Sequence, residues 1–205
     1  PITNVAGWGF LLWRRPFQVG DRIAIGDRRG DVIDISLFQF SLMEIGEWVN
    51  ADQPTGRVVH VPNALVFTTP QVNYTREFRY LWHEMPVLVT FESDWQKAKD
   101  LLRAIVEKHG SAARDAVRPE IERARDRLLL YHVSIEPTVI TSVADSGVLL
   151  TMRYVVEARR RREVAQAVWE DVLHAFAGAD DIDFAYPTTR FYMNATEGKA
   201  GARAE

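Results

Sequence analysis

Arg15-Pro16-Phe17-Gln18-Val19-Gly20-Asp21-Arg22-Ile23 divides this chain into two kinds of sequence. Upstream, Val5 to Trp13 reads Val-Ala-Gly-Trp-Gly-Phe-Leu-Leu-Trp and carries no charge, and Arg14 and Arg15 follow at once. Tryptophan beside arginine is favoured at the cytoplasmic face of a membrane, because indole rests among headgroups and cationic side chains reach phosphates. Pro16 lacks an amide hydrogen and restricts the residue before it, so a helix arriving from upstream is expected to stop there. Downstream the pattern turns to short strands. The stretch therefore reads as the exit of a helix from a bilayer into a water-exposed body, with Trp8, Trp13, Arg14 and Arg15 at the membrane interface; the alternative that these residues leave open is a buried N-terminal helix of a soluble protein.

The rest of the composition is that of a globular protein. Of 205 residues, 47% are apolar and 26% charged, enough for a sizeable core in one or two domains. The net charge of -3 gives no global basic field for nucleic acid. Cysteine is absent, which excludes disulfides, thiolate metal sites and a cysteine nucleophile. As a helix, Val5–Trp13 would be about 14 Å long against roughly 30 Å of hydrocarbon, too short to span. It lacks the basic leader of a signal peptide. The first residue is Pro1, and the run is expected to be the inner end of a longer membrane protein.

From Phe17 to Thr75 strands and turns alternate. Ile23 and Ile25 mark one strand, Asp27-Arg28-Arg29-Gly30 a turn, and Ile33, Ile35 and Leu37 a second strand. Phe40–Ile45 is a third apolar run. Gly46–Gly56 reads as a loop or hairpin tip, Val58–Val61 as a fourth strand, and Val66–Tyr74 as a fifth interrupted by Pro70. Five short strands with tight turns indicate a small barrel or sandwich. Beyond Arg76, alternation from Leu81 to Phe91 gives a strand. Asp94 is set to cap a helix that Gly110 stops, and Pro119 to start a second short helix inside the polar Ser111–Leu130 segment. Val133–Val139 and Val148–Val156 follow as strands around an Asp145-Ser146-Gly147 turn. Val164 to Phe176, with Trp169 and Leu173, forms an apolar helix stripe ended by Gly178. Ile182, Phe184 and Tyr186 make a last strand. Strand, helix, strand, strand, helix, strand is the ferredoxin-like order. Ala195–Glu205 is small and polar, and is expected to be disordered.

Catalytic chemistry finds no foothold. None of His60, His83, His109, His132 and His174 forms a helix-face metal pair, and His83 reads as a satisfied core or interface histidine. Asp31 and Asp34, with Glu44 nearby, have odd spacing and are expected on opposite faces of one strand. Nucleophile elbows and phosphate-cradling loops are missing. No enzyme, cofactor or metal is expected. Arg159-Arg160-Arg161-Arg162 reads as a solvated helix start, although a cationic cluster there opposes the helix dipole and leaves room for an acidic partner. Trp48 is either an interface anchor or packed back on its own strand.

Four pieces in order carry a resemblance: Arg15-Pro16-Phe17-x-Val19-Gly20-Asp21-x-Ile23, Gly30-Asp31-Val32-Ile33-x-Ile35, Val61-Pro62-Asn63 and Val72-Asn73-Tyr74. Together they resemble the small-conductance mechanosensitive channel (MscS-like) family, densely over Asn4–Thr75 and again at Tyr186-Pro187-Thr188. The resemblance implies an α+β chain: a remnant of a transmembrane, pore-lining helix (1–16), an Sm-like five-stranded β-domain (17–77), a ferredoxin-like βαββαβ domain (78–193) and a tail (194–205). It implies a homo-oligomeric ring, commonly a heptamer, in a bacterial inner membrane, with this region cytoplasmic and small ions passing through. Asn4, Gly7 and Gly9 would belong to the pore-helix end and its packing. Pro16, Phe17, Gly20 and Asp21, with Pro62, Asn63 and Ala64, would form the junction to the β-domain. Three departures stand out. A glycine- and alanine-rich pore segment is absent, so these residues alone are not expected to conduct. The Gly46–Gly56 loop is long, and the Ser111–Leu130 insert is unusual. The competing readings are an Sm-like RNA-binding ring and a soluble ferredoxin-like ligand-binding domain.

Overall fold

Two antiparallel sheets, one preceded by a helix and one backed by two, make up the architecture of the computed structural model. Residues 1–76, 79–128, 134–187 and 193 are described, with only the backbone over 123–128. Helix α1 (Ile2–Arg14) leads in. Strands β1 (Arg22–Ile25), β2 (Arg28–Ile35), β3 (Gln39–Ile45), β4 (Pro54–Pro62) and β5 (Gln71–Asn73) form one sheet in the order β4-β3-β2-β1-β5. Strands β6 (Tyr80–Val89), β7 (Thr138–Ala144) and β8 (Gly147–Glu157) form the other, in the order β6-β8-β7. Helices α2 (Trp95–Leu128) and α3 (Arg161–Ala177) accompany it.

Alternation sets the inner face of the first sheet. Val32, Phe40, Leu42 and Val61 are buried with Ile23, Ile25 and Phe17, and Phe17 meets Phe40 at a ring distance of 5.0 Å. That assigns the inward side of the third strand, which the sequence leaves open. The β1–β2 turn departs from expectation. Its two-residue tip is Gly26-Asp27, since Ile25 pairs with Arg28, and Gly26 supplies the positive φ of 58°. Gly30 lies inside β2, where a Cβ would come within 2.5 Å of the Met43 carbonyl oxygen. The expected Val66–Tyr74 strand is mostly something else: a 3-10 helix (Asn63–Phe67) and then the three residues of β5.

The faces of Asp31 and Asp34 also need correcting. The β2–β3 register slips between Val32 and Asp34, so Asp31 pairs with Met43 and Asp34 with Ser41. Met43 and Ser41 are two apart on one strand, so both aspartates share a face. They remain separate in function, because Asp31 engages Arg22 while Asp34 accepts from Ser36 Oγ.

The second sheet buries Met85, Val87, Leu150, Met152 and Tyr154 against Leu102 and Val106 of α2 and Val168, Val172 and Phe176 of α3. Asp94 caps α2 as expected, its Oδ1 accepting from the amides of Gln96 and Lys97 at 3.1 and 3.0 Å. Gly110 does not stop that helix, and no second helix starts at Pro119. α2 runs unbroken for 34 residues through both. Gly110 is a packing glycine instead: a Cβ there would lie 3.1 Å from Pro137 Cγ and 3.3 Å from Tyr154 Cβ. Val117 and Ile121 continue the buried stripe into a small cluster with Ile135 and Val155. On α3, Trp169 and Leu173 prove exposed rather than part of the stripe. The expected last strand shrinks to a bridge between Val89 and Phe184, flanked by Thr90 N–H to Asp183 O and Ala185 N–H to Leu88 O. The strand expected at Val133–Val139 starts only at Thr138; Val133, like Thr188 and the tail from Ala195, lies outside the described residues.

Candidate functional site: the helix-to-sheet junction

The expected junction residues come together where α1 lies on the 3-10 helix. Positions 4, 7 and 11 share one face of α1. Leu11 is buried with the first sheet's core. Gly7 is buried, and a Cβ on it would lie 2.7 Å from the carbonyl carbon of Asn63. Asn4 Oδ1 accepts from the Ala64 amide at 2.9 Å. Asn63 is fully buried and donates through Nδ2 to the carbonyls of Ser36 and Leu37 at 2.9 and 3.1 Å, which fixes the turn that α1 rests on. Phe10 adds a ring contact with Phe67 at 5.4 Å. Gly9 behaves differently: it faces open space, with nothing within 4 Å of its would-be Cβ.

α1 ends at Arg14, two residues before the proline. Arg15 takes a left-handed conformation, φ 46° and ψ 56°, and its amide donates to Leu11 O at 3.0 Å. Its Nε donates to Leu12 O at 3.2 Å, so one residue caps the negative end of the helix with both its backbone and its cationic side chain. Trp13 is 81% exposed, with the Arg14 guanidinium 5.8 Å from its ring centre. Ile2, Val5 and Leu12 are also exposed, while Trp8 is half-buried. Helix α1 thus shows an apolar outer row ending in Trp13, Arg14 and Arg15. No helix among the described residues is long and apolar enough to cross a membrane.

Below the exit turn, Asp21 holds the chain. Its carboxylate accepts from the Gln18 amide, from Asn73 Nδ2 at 3.0 Å and from Thr75 Oγ1. Asn73 Nδ2 also reaches the Pro16 carbonyl. Gly20, at φ 96°, lets the backbone turn so that its amide meets Val32 O at 2.8 Å. Asn73 was visible in the sequence only as part of a family motif; its bond to Pro16 depends on β5 lying beside β1.

Three of the four arginines of the run, Arg159, Arg160 and Arg161, are engaged rather than merely solvated. α3 begins at Arg161. Arg159 donates to the Gly20 carbonyl and to Asp31, Arg160 pairs with Glu163, and Arg161 meets Asp52 at 2.6 Å. The acidic partner that the sequence leaves room for lies in the same chain. Asp31 also takes two bonds of 2.9 Å from buried Arg22. Burial alone would raise the Asp31 pKa; the hydrogen bonds and charges of Arg22 and Arg159 outweigh it and hold the group below its ordinary range.

Several other polar groups have local partners. An open groove of about 820 Å³ runs beside β4 and the β1–β2 turn. Its buried carboxylate, Glu44, is occupied by a two-pronged bond to Arg57 and by Thr55 Oγ1. Burial opposes ionisation of Glu44, but those partners win and lower its pKa. Trp48 is both exposed and stacked, with Arg57 4.7 Å from its ring centre. His83 Nδ1 meets the Tyr154 hydroxyl at 3.1 Å; burial and the Arg161 charge lower its pKa. His132 lies outside the described residues.

This geometry has counterparts in known proteins. A family model described as mechanosensitive ion channel, beta-domain, matches residues 1–76. Residues 1–76 thus resemble the beta-domain of the MscS-like family. Among its relatives is an uncharacterized MscS family protein of Archaeoglobus fulgidus, 25% identical over 118 residues, which cover 56% of this chain and 37% of that one. Another, from Buchnera aphidicola subsp. Acyrthosiphon pisum, is 25% identical over 114 residues, 56% of this chain and 34% of that one. The chain therefore aligns with little more than a third of the length of these relatives. The closed-state crystal structure of Helicobacter pylori MscS shares the fold with a TM-score of 0.66 at 16% identity, over 93% of this chain and 64% of that one. The cryo-EM structure of Arabidopsis thaliana MSL1 does so with a TM-score of 0.57 at 17% identity, over 92% and 59%.

Proposed function

We propose that this MscS-like chain is the vestibule-forming, cytoplasmic part of a homo-oligomeric, membrane-tension-gated ion channel that protects a bacterial cell from osmotic shock. The observation that supports it is α1: one face locked onto the first sheet through Asn4, Gly7 and Leu11, the other apolar, uncovered and ending in Trp13-Arg14-Arg15. On this reading residues 1–16 end a pore-lining helix at the inner membrane. Residues 17–77 form an Sm-like ring layer, and 78–193 a ferredoxin-like wall around a vestibule through which small ions pass. Copies of the same chain, seven in the family's common form, complete the ring, and outward-facing Gly9 lets a neighbouring helix approach closely. Nucleic acid is not a partner, since Arg159, Arg160 and Arg161 are engaged by carboxylates of the same chain.

Mechanistically, tension favours whichever state occupies more membrane area, so it acts by shifting a population. Because α1 is held to Asn63 and Ala64 by a backbone approach and a hydrogen bond, its displacement must carry the first sheet with it or break that contact. Two measurements test the reading. Light scattering of the 23.4 kDa chain in detergent should give a multiple of the monomer mass; a monomer, or RNA retained on purification, would overturn it. Patch recordings of the full-length protein should show shifted tension thresholds for Trp13→Ala and Arg15→Glu. Thresholds unchanged in both would remove the interface role.

A further inference from the structure

Among the described residues, no hydrophobic core cluster is shared by the two halves of this molecule. The core of the first sheet is built from residues up to Val66, and the clusters of the second from Tyr80 onward. Charges span the gap instead. From the second half, Arg159 reaches the Gly20 carbonyl and Asp31 Oδ1, and Arg161 Nη2 reaches Asp52 Oδ2 at 2.6 Å. Both acceptors are prepared by one residue of the first half. Buried Arg22 grips Asp31 with two bonds of 2.9 Å and donates through Nη1 to the Asp52 carbonyl at 3.3 Å. Asp52 and Ala51 both stand in left-handed backbone, φ 54° and 60°, a conformation that non-glycine residues adopt only where their surroundings hold it. The loop between β3 and β4, shorter than the expected Gly46–Gly56 because β4 already begins at Pro54, therefore delivers a carboxylate at the cost of an unfavourable backbone.

We propose that Arg159 and Arg161, closing on Asp31 and Asp52, form an ionic latch that sets the angle between the two halves and loosens as ionic strength rises. Solvent has access to it. The Arg161 and Asp52 side chains are 31% and 27% exposed, and a polar cavity of about 280 Å³ opens beside Arg159, lined also by Asp21, Thr75, Arg79 and Glu157. Partly exposed ion pairs are weakened by salt, whereas an apolar interface would be strengthened or unaffected. The inference does not depend on the channel reading.

The absence of cysteine makes the test direct. Asp27→Cys on the β1–β2 turn and Glu170→Cys on α3, both exposed, take spin labels, and labelled chains are diluted into unlabelled ones so that only distances within a chain are read. A narrow distance distribution is expected at low salt. Raising KCl from about 0.1 M to about 1 M shortens the screening length from about 10 Å to about 3 Å and should broaden it. At low salt, Asp52→Arg and Arg161→Asp singly should each raise the undocked fraction about fivefold, and the double exchange should restore the narrow distribution. Arg160→Gln, whose partner Glu163 is on its own helix, should change nothing. A distribution indifferent to salt, or a double exchange no narrower than the singles, overturns the latch. Should the single variants fail to fold, the salt series on the labelled chain decides alone.

Discussion

At the scale of single residues, two glycines of α1 have opposite environments. Gly7 has the Asn63 backbone against it, and Gly9 has open space. Gly7→Ala must push α1 off the 3-10 helix, and overpacking of this kind costs about 1–3 kcal/mol. Gly9→Ala only gains helix propensity and should stabilise by about 0.5–1 kcal/mol. Urea unfolding followed by tryptophan fluorescence reads both; equal shifts for the two variants would refute the packing of α1. The sequence marked both as small residues suited to close contact. It could not rank them, because the partner of Gly7 is a carbonyl 56 positions further along. The same limit applies to the junction as a whole. Pro16, Phe17, Gly20, Asp21 and Pro62-Asn63-Ala64 were legible as a motif, yet the bonds that give them meaning, Asn4 to Ala64 and Asn73 to Pro16, form across folded distances.

Among the elements, α2 shows how a correct periodicity was cut short. Leu102, Val106, Gly110, Ala113, Val117 and Ile121 are spaced four, four, three, four and four apart, an unbroken helical stripe. Read as a terminator, Gly110 hid it; read as the small member of the stripe, it would have revealed a helix of about 51 Å. Proline suits the first turn of a helix, so Pro119 reads as a start, but here it sits in the helix interior on an exposed position. A proline there cannot donate to the carbonyl four residues earlier. Pro119→Ala should therefore stabilise the chain, by about 1–3 kcal/mol. Gly110→Ala should not, despite its better propensity, because Pro137 and Tyr154 occupy the space. Thermal melts by far-UV circular dichroism test the pair; a stabilising Gly110→Ala would contradict the packing. The β2 bulge misled in the same way. One extra residue at Ile33 moved Asp34 to the face of Asp31, and nothing in local sequence announces it.

For the whole molecule, the mixed α+β class and the alternation of strands and helices were readable from hydrophobic period, since each sheet buries its own face. The seam between the halves was not. In the sequence Asp52 is one of several turn-forming residues of a loop and Arg161 one of four equal arginines; only folding selects them. Separate cores carry a thermodynamic expectation of their own. Heating should melt the halves as two cooperative units, and a single transition with equal calorimetric and van't Hoff enthalpies would contradict it. Heat-capacity steps on unfolding come chiefly from wetting apolar surface. A seam closed by arginines and carboxylates has little of that surface to wet. The halves can hence swing apart almost without a thermal trace, silent to a calorimeter yet plain to any molecular ruler placed across the gap.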